Sequence, residues 1–238
     1  MLSSTAPFAR GYFGRVTAVG LTASGQPALW YAFTGRGKPS RQRRATIQRP
    51  AAGQLTVEIG PLRPPGRRSD PATAALLLLS KPGLGVAGST PRLAELGAAL
   101  SAGAHPQDAL RSALARWGPE PPPYRTPRTA AVLVPAGPRA WMGATTEPDT
   151  ASSALISLAP GRFECLPTAS GAAGSTAPIG ADMEAELVEV RLGEGGAPGL
   201  AEAVYGLFDP ELIVCAVAAV WEQEAGAWDV ALRNLHQE

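Results

Sequence analysis

Alternating apolar and polar residues predict strands over much of the chain, and helical spacing recurs in three segments. Two β-rich runs, 12–20 and 27–34, flank a turn-forming segment at 22–26 and predict a hairpin. Further strands are predicted at 55–60, 74–80, 129–134, 139–145, 154–159, 162–166, 183–192, 211–221 and 228–232, the last two as a terminal hairpin. Helices are predicted at 90–103, 106–117 and 198–208, the first beginning at a Thr-Pro cap.

The order of these elements predicts an α+β protein. Strands come first, then two helices, then strands, a helix and strands, and this order differs from regular βαβ winding. Two antiparallel sheets packed face to face and covered by helices accommodate the order. We expect a flexible N-terminal arm at 1–10 and a single domain over 11–238. The segment 35–50 is predicted as a basic loop or a short strand with loops, and 61–72 and 168–181 as loops.

The net charge of +1 conceals an uneven distribution of charge. Residues 1–120 carry 15 basic and 5 acidic side chains, whereas residues 121–238 carry 6 basic and 15 acidic ones. The basic excess is densest at 36–68, where a run of Arg and Lys residues is interrupted by one acid, Glu58. Such a cluster indicates an anionic partner.

Composition argues against several kinds of site and location. Two cysteines cannot form a zinc site alone, and neither has a histidine nearby in sequence. Cys215 lies in an apolar strand and is interpreted as a small buried hydrophobe, while Cys165 is expected to be partly exposed. The chain has no apolar run of membrane-spanning length and no lysine-rich start before an apolar stretch, which predicts a cytoplasmic protein.

Two glycine-containing segments are candidates for phosphate binding. In 34–41, glycines let the backbone approach a ligand, Arg36 and Arg41 can hold a phosphate in bidentate geometry, and Lys38 adds a positive charge. A solvated basic loop explains the same residues. The spacing at 83–88 matches a dinucleotide-binding fingerprint superficially, but no βαβ unit surrounds it. A tight turn between strands is therefore the preferred interpretation of 83–88.

The segment 120–128 places a carboxylate, Glu120, and a phenol, Tyr124, on a proline-rich connector before a strand. Prolines fix backbone geometry, which suits the positioning of an acid or a base. A plain linker is the favoured alternative from these residues alone.

Several segments, in order, resemble the archaeal-type IMP cyclohydrolases. They are YFGRVTAVG at 12–20, RGKPSR at 36–41, YRTPRTAAVL at 124–133, WMG at 141–143 and VCAVA at 214–218. The resemblance extends from about residue 11 to residue 232. It implies a four-layer αββα sandwich of two mainly antiparallel sheets, as in the N-terminal nucleophile hydrolases but without use of such a nucleophile.

The resemblance also implies an activity. Members of that family are hydrolases of purine biosynthesis that close the second purine ring, converting a 5-formamidoimidazole-4-carboxamide ribonucleotide to IMP with loss of water. The implied partner is therefore a purine mononucleotide or its formamidoimidazole precursor, with no metal and no redox cofactor.

Site residues follow from the resemblance. Glu120 is the candidate general acid/base, because the family has an acidic residue at the same offset before its Tyr-x-Thr-Pro-Arg block. Tyr124 and Arg15 are candidates for polarising the reacting groups, and Arg128 either binds substrate or stabilises the end of a strand. The residues expected to hold the 5′-phosphate are Arg36, Lys38, Ser40 and Arg41.

Two other functions remain open from the sequence. The first is a nucleotide-binding homologue without turnover, which agrees with an apolar 71–79 segment and a missing asparagine at 88–90, where the family has polar residues. The second is an RNA-binding module built on 36–68. That segment contains no aromatic residue to stack on bases, which argues against a nucleic-acid partner. The oligomeric state, a homo-oligomer included, is not determined by the sequence.

Overall fold

The structure, a computed structural model, describes residues 8, 12–51, 53–62, 73–79, 83–120, 126–168, 186–189 and 196–236. Its strands are β1 (Arg15–Leu21), β2 (Pro27–Thr34), β3 (Arg43–Ala51), β4 (Gln54–Pro61), β5 (Thr73–Leu79), β6 (Leu84–Gly88), β7 (Arg128–Val134), β8 (Arg139–Glu147), β9 (Thr150–Ile156), β10 (Arg162–Pro167), β11 (Glu186–Glu189), β12 (Ile213–Glu222) and β13 (Ala227–Asn234). Its helices are α1 (Lys38–Arg41), α2 (Leu93–Ser101), α3 (Pro106–Trp117) and α4 (Gly196–Tyr205).

The strands form two antiparallel sheets. One has the order β11-β10-β1-β2-β12-β13, and the other has the order β3-β4-β5-β6-β7-β8-β9. The second sheet follows chain order throughout, because each of its strands pairs with its predecessor. In the first sheet the terminal hairpin of β12 and β13 lies next to the initial hairpin of β1 and β2, because β12 pairs with β2. The predicted α+β fold of two antiparallel sheets is confirmed.

Strand alternation divides each sheet into an inner and an outer face. In β2, Leu29, Tyr31 and Phe33 point into the core between the two sheets, whereas Trp30 and Ala32 point to the opposite face. All these side chains are buried, so β2 is covered on both sides. Because both faces of β2 are buried, its sequence is a continuous apolar run and does not alternate between apolar and polar residues.

Helices complete the outer layers. The apolar stripe of α2 and α3 covers the seven-stranded sheet, packing Leu96 and Leu114 with Val132. Helix α4 covers the six-stranded sheet through Leu200 and Val204. The layer order is therefore helix, sheet, sheet, helix, in agreement with the predicted αββα sandwich. None of the helices in the described part of the chain is long and apolar enough to cross a bilayer.

Several local predictions are wrong. The glycine-rich passage predicted as a turn is strand β6, which is buried on both faces. A Cβ atom at Gly85 would lie 2.8 Å from ring carbons of Trp228, so its small size permits close sheet packing. Part of the basic segment forms α1 and the long strand β3. Cys165 is fully buried rather than partly exposed, because β10 directs it toward the α4 layer.

Two helix and terminus predictions also change in detail. Helix α2 begins at Leu93, and the Thr90 hydroxyl accepts a hydrogen bond from the Arg92 backbone N–H at 3.2 Å outside the helix. Within the predicted arm, Phe8 is buried and stacks on Phe208 with ring centroids 4.9 Å apart. The rest of the arm, and all of the predicted loop at 168–181 except Thr168, lie outside the described residues.

Gly20 gives a direct test of the β1–β10 pairing. A methyl group there would overlap the carbonyl oxygen of Arg162 and lie 2.8 Å from the Cα atom of Phe163. We expect Gly20→Ala to lower the free energy of unfolding by about 1–3 kcal/mol in urea titrations. The control is Gly199→Ala in α4, where a Cβ meets no atom within 4 Å, and it should stabilise the protein by about 0.5–1 kcal/mol. Equal effects of the two substitutions would contradict the pairing.

Candidate functional site

Several charged side chains lie at one end of the sandwich. Strands β1, β3, β7 and β12 begin there and β2 ends there, as the antiparallel registers require. A buried hydrogen bond of 3.0 Å between the Thr17 and Thr129 hydroxyls joins the sheets near this end. Asn234 of β13 joins Ala45 of β3 through two further hydrogen bonds of 2.8 and 3.1 Å. We call this end of the inter-sheet space, around Arg15, Tyr31 and Glu120, the mouth.

Arg15 and Glu120 form an ion pair in the mouth. Arg15 is the first residue of β1, and alternation with the inward-facing Thr17 directs its side chain between the sheets. One carboxylate oxygen of Glu120 contacts the Arg15 guanidinium, and the other accepts a hydrogen bond from the Thr126 hydroxyl. Both charged side chains retain 19% of their surface exposed. The pair is thus partly desolvated but reachable from solvent.

Backbone hydrogen bonds hold both partners in place. The Arg15 N–H donates to the Thr168 hydroxyl at 3.0 Å, and the Thr168 N–H donates to the Arg15 carbonyl at 2.8 Å. The Glu120 N–H donates to the Thr126 carbonyl at 2.9 Å, so residues 120 and 126 are tied together. Tyr124 lies between them, outside the described residues.

Tyr31 is a polar residue of the mouth that no local sequence pattern indicates. It is fully buried, and its hydroxyl has no hydrogen-bond partner among the residues that the structure describes. Burial raises the pKa of Tyr31 above its ordinary value, against the opposing charge of Arg15. The phenol therefore keeps its proton. Burial alone would lower the pKa of Arg15, but the negative charge and the hydrogen bond of Glu120 oppose it, and the net pKa is raised.

Arg43 and Cys215 are the other neighbours of Tyr31. Ala45 faces the inter-sheet core, and Arg43 lies two residues earlier on β3, so Arg43 is on the same face. The positive charge of Arg43 acts on both Tyr31 and Cys215. Burial raises the pKa of the Cys215 thiol to about 12, so this cysteine is protonated and unreactive. Its interpretation as a small buried hydrophobe is confirmed.

Arg128 lies at the start of β7 beside the mouth. Its Nη1 donates to the Thr90 hydroxyl at 3.2 Å, and its Nε is buried without a partner in the described part of the chain. Burial lowers the pKa of Arg128, and the positive charges of Arg15 and Arg92 lower it further, while Glu120 opposes them. Arg128 thus belongs electrostatically to the mouth, and its bond to Thr90 also serves the strand end.

The predicted phosphate-binding residues face in different directions. The exposed Arg36 places its guanidinium 3.9 Å from the ring centre of Tyr12, and Tyr12 acts electrostatically on Arg15. Lys38 is also exposed, and Ser40 packs closely against Gly35. The charge of Arg41, in contrast, acts on Tyr205 of α4, and its carbonyl accepts a hydrogen bond of 2.8 Å from His236. Arg36 and Arg41 therefore have different neighbours.

A separate groove lies where the sheet edges meet. It has a volume of about 450 Å³ and lies along β3 and β13. Its lining residues are Arg44, Ala45, Thr46, Ile47, Leu232, Asn234 and His236. None of the predicted site residues lines this groove. Among the described residues, no three His, Cys, Asp or Glu side chains come together in a way that would hold a metal ion.

No family model matches the sequence, and no curated protein matches it significantly. Support for a function therefore comes from the geometry of the mouth and from the sequence motifs that carry the resemblance.

Proposed function

We propose that this protein is an IMP cyclohydrolase, which closes 5-formamidoimidazole-4-carboxamide ribonucleotide to IMP with loss of water. The observation that carries the proposal is the Arg15–Glu120 ion pair, held at the mouth beside the buried Tyr31. An acid/base group and a fixed positive charge at one partly desolvated position are what this reaction requires. The site lies between the two sheets, where a planar heterocycle would be shielded from water.

The reaction joins two groups of one molecule. The carboxamide nitrogen is a poor nucleophile, so a rigid pocket that holds it against the formyl carbon supplies much of the rate. Glu120 accepts the proton that the nitrogen loses, and it returns a proton to the departing oxygen. Each carboxylate oxygen has more than one lone pair, so the bonds of Glu120 to Arg15 and Thr126 leave it able to accept a proton. Arg15 stabilises the oxygen that gains negative charge.

The phosphate of the ribonucleotide requires a separate basic clamp. We assign it to the segment after β2, with Arg36 as the leading group because its contact with Tyr12 connects it to the Arg15 side of the mouth. Lys38, Ser40 and Arg41 complete the clamp, which requires the Arg41 guanidinium to turn away from α4 when phosphate binds. The concentration of basic residues in the first half of the chain supports an anionic ligand.

A nucleotide-binding homologue without turnover is the second candidate. It is favoured by one observation: both carboxylate oxygens of Glu120 already accept hydrogen bonds within the protein, one from Arg15 and the other from Thr126. A carboxylate so held serves equally well to fix a binding site. The two candidates agree on the ligand class and differ on whether Glu120 transfers a proton.

Glu120→Gln separates these candidates. Purified wild-type protein given the formylated carboxamide ribonucleotide should produce IMP, followed by absorbance. General acid/base catalysis contributes about 10²–10⁴-fold, so the rate for Glu120→Gln should fall by that factor in single-turnover experiments. The control is Glu95→Gln, which removes an exposed carboxylate of α2 that is paired with Arg92. Wild-type turnover by Glu120→Gln would remove its catalytic role, and no IMP from the wild type would favour the homologue without turnover.

The phosphate clamp is tested by calorimetric titration of IMP. Hydrogen bonds to charged groups contribute about 1.5–3 kcal/mol each, so Arg36→Ala with Arg41→Ala should weaken binding by at least tenfold. The matched control removes the exposed Arg49 and Arg162, which lie toward the other end of their strands and of the sandwich. The clamp assignment fails if the first double variant binds IMP as tightly as the wild type.

A further inference from the structure

The buried hydroxyl of Tyr31 is a polar group of the mouth for which the described fold provides no use. Tyr31 has no exposed surface, and the hydroxyl lacks a hydrogen-bond partner among the described residues. Burial of an unsatisfied donor destabilises a protein, and native structures contain few such groups. Phenylalanine would fill the same position in the apolar core without this cost, so the hydroxyl calls for an explanation beyond packing.

The neighbouring strands do not provide an acceptor. Thr17 lies directly opposite Tyr31 in β1, but its hydroxyl is engaged with Thr129 of the other sheet. On the other side, Val217 of β12 lies opposite Tyr31 and has an apolar side chain. The hydrogen of the Tyr31 hydroxyl is therefore available to a group that enters from the mouth.

The surroundings of this hydroxyl suit an oxygen that carries negative charge. Arg15 and Arg43 both place positive charge close enough to act on Tyr31. Burial keeps the phenol neutral, so it still has a proton to donate. A neutral donor in a poorly solvated space, acted on by the positive charges of Arg15 and Arg43, is suited to stabilise an oxyanion.

We propose that Tyr31 donates a hydrogen bond to the formyl oxygen of the substrate while the ring closes, after ligand binding has parted Arg15 and Glu120. This role rests on the proposed function. The carboxamide nitrogen bonds to the formyl carbon, and one N–H proton passes through Glu120 to the formyl oxygen. The carbon–oxygen bond then breaks, the hydroxyl leaves with a second N–H proton as water, and a C=N bond completes the ring. Tyr31 keeps its own proton throughout.

Loss of the Tyr31 hydroxyl should affect substrate turnover and product binding differently. The oxygen that Tyr31 contacts leaves as water, so IMP has no atom at that position. Removing the hydroxyl should therefore slow ring closure without weakening the binding of IMP. A merely structural hydroxyl would instead change the stability of the free protein, and a general binding group would change both affinities.

The experiment compares Tyr31→Phe with the wild type in three measurements. We expect kcat for ring closure to fall by about 10²–10³-fold, the typical effect of removing one oxyanion donor. The dissociation constant of IMP, measured by calorimetry, should be unchanged. The thermal midpoint of the free protein should be equal or higher, because the substitution removes an unsatisfied buried group. Tyr205→Phe on α4 is the matched control and should leave all three values unchanged.

Each contrary result has a distinct meaning. Wild-type kcat in Tyr31→Phe, or a parallel loss of IMP affinity, overturns the role of Tyr31 and leaves the proposed function standing. A lower thermal midpoint overturns it as well, because the hydroxyl would then have a structural partner. A wild-type protein that neither binds IMP nor forms it overturns the proposed function and this role together.

Discussion

The interaction on which the rest of the mouth depends is the ion pair between Arg15 and Glu120. Alternation in β1 drives the Arg15 guanidinium into the end of the inter-sheet core, where an unpaired charge would be strongly destabilising. Glu120 supplies the counter-charge, and Thr126 fixes its second oxygen. The apolar sandwich can therefore end in a charged site without separating its sheets.

The same arrangement links stability to chemistry. A partly desolvated ion pair has stronger electrostatic effects than one in water, so groups near it are well suited to stabilise charge that develops on a ligand. Tyr31 and Cys215 remain protonated because burial outweighs the positive charge of Arg43 and, at Tyr31, of Arg15 as well. Tyr31 can therefore donate a hydrogen bond, whereas the partly exposed Glu120 accepts hydrogen bonds from Arg15 and Thr126. The division of roles follows from the depth at which each side chain lies.

The fold was more accessible from the sequence than the site was. Periodicity identifies most strands and helices because it reports local burial, and the element order then indicates two packed sheets. Periodicity fails at β6. Gly85 suggests a turn, but it is a strand residue, and glycine is required there because Trp228, distant in sequence, leaves no room for a larger side chain. Similarly, motif resemblance indicates Arg15 and Glu120, but no local pattern marks Tyr31 and Arg43 as site residues. Their importance depends on which strand ends meet, and that is set by pairing across the whole chain.

We propose that the mouth, and not the groove along β3 and β13, receives a purine mononucleotide. A crystal structure of the protein with IMP is the direct test. We expect the base between the sheets beside Arg15 and Glu120, with these side chains moved apart, and the phosphate against Arg36 and Lys38. IMP seated in the groove beside Arg44 and His236, with the Arg15–Glu120 pair unchanged, would contradict it.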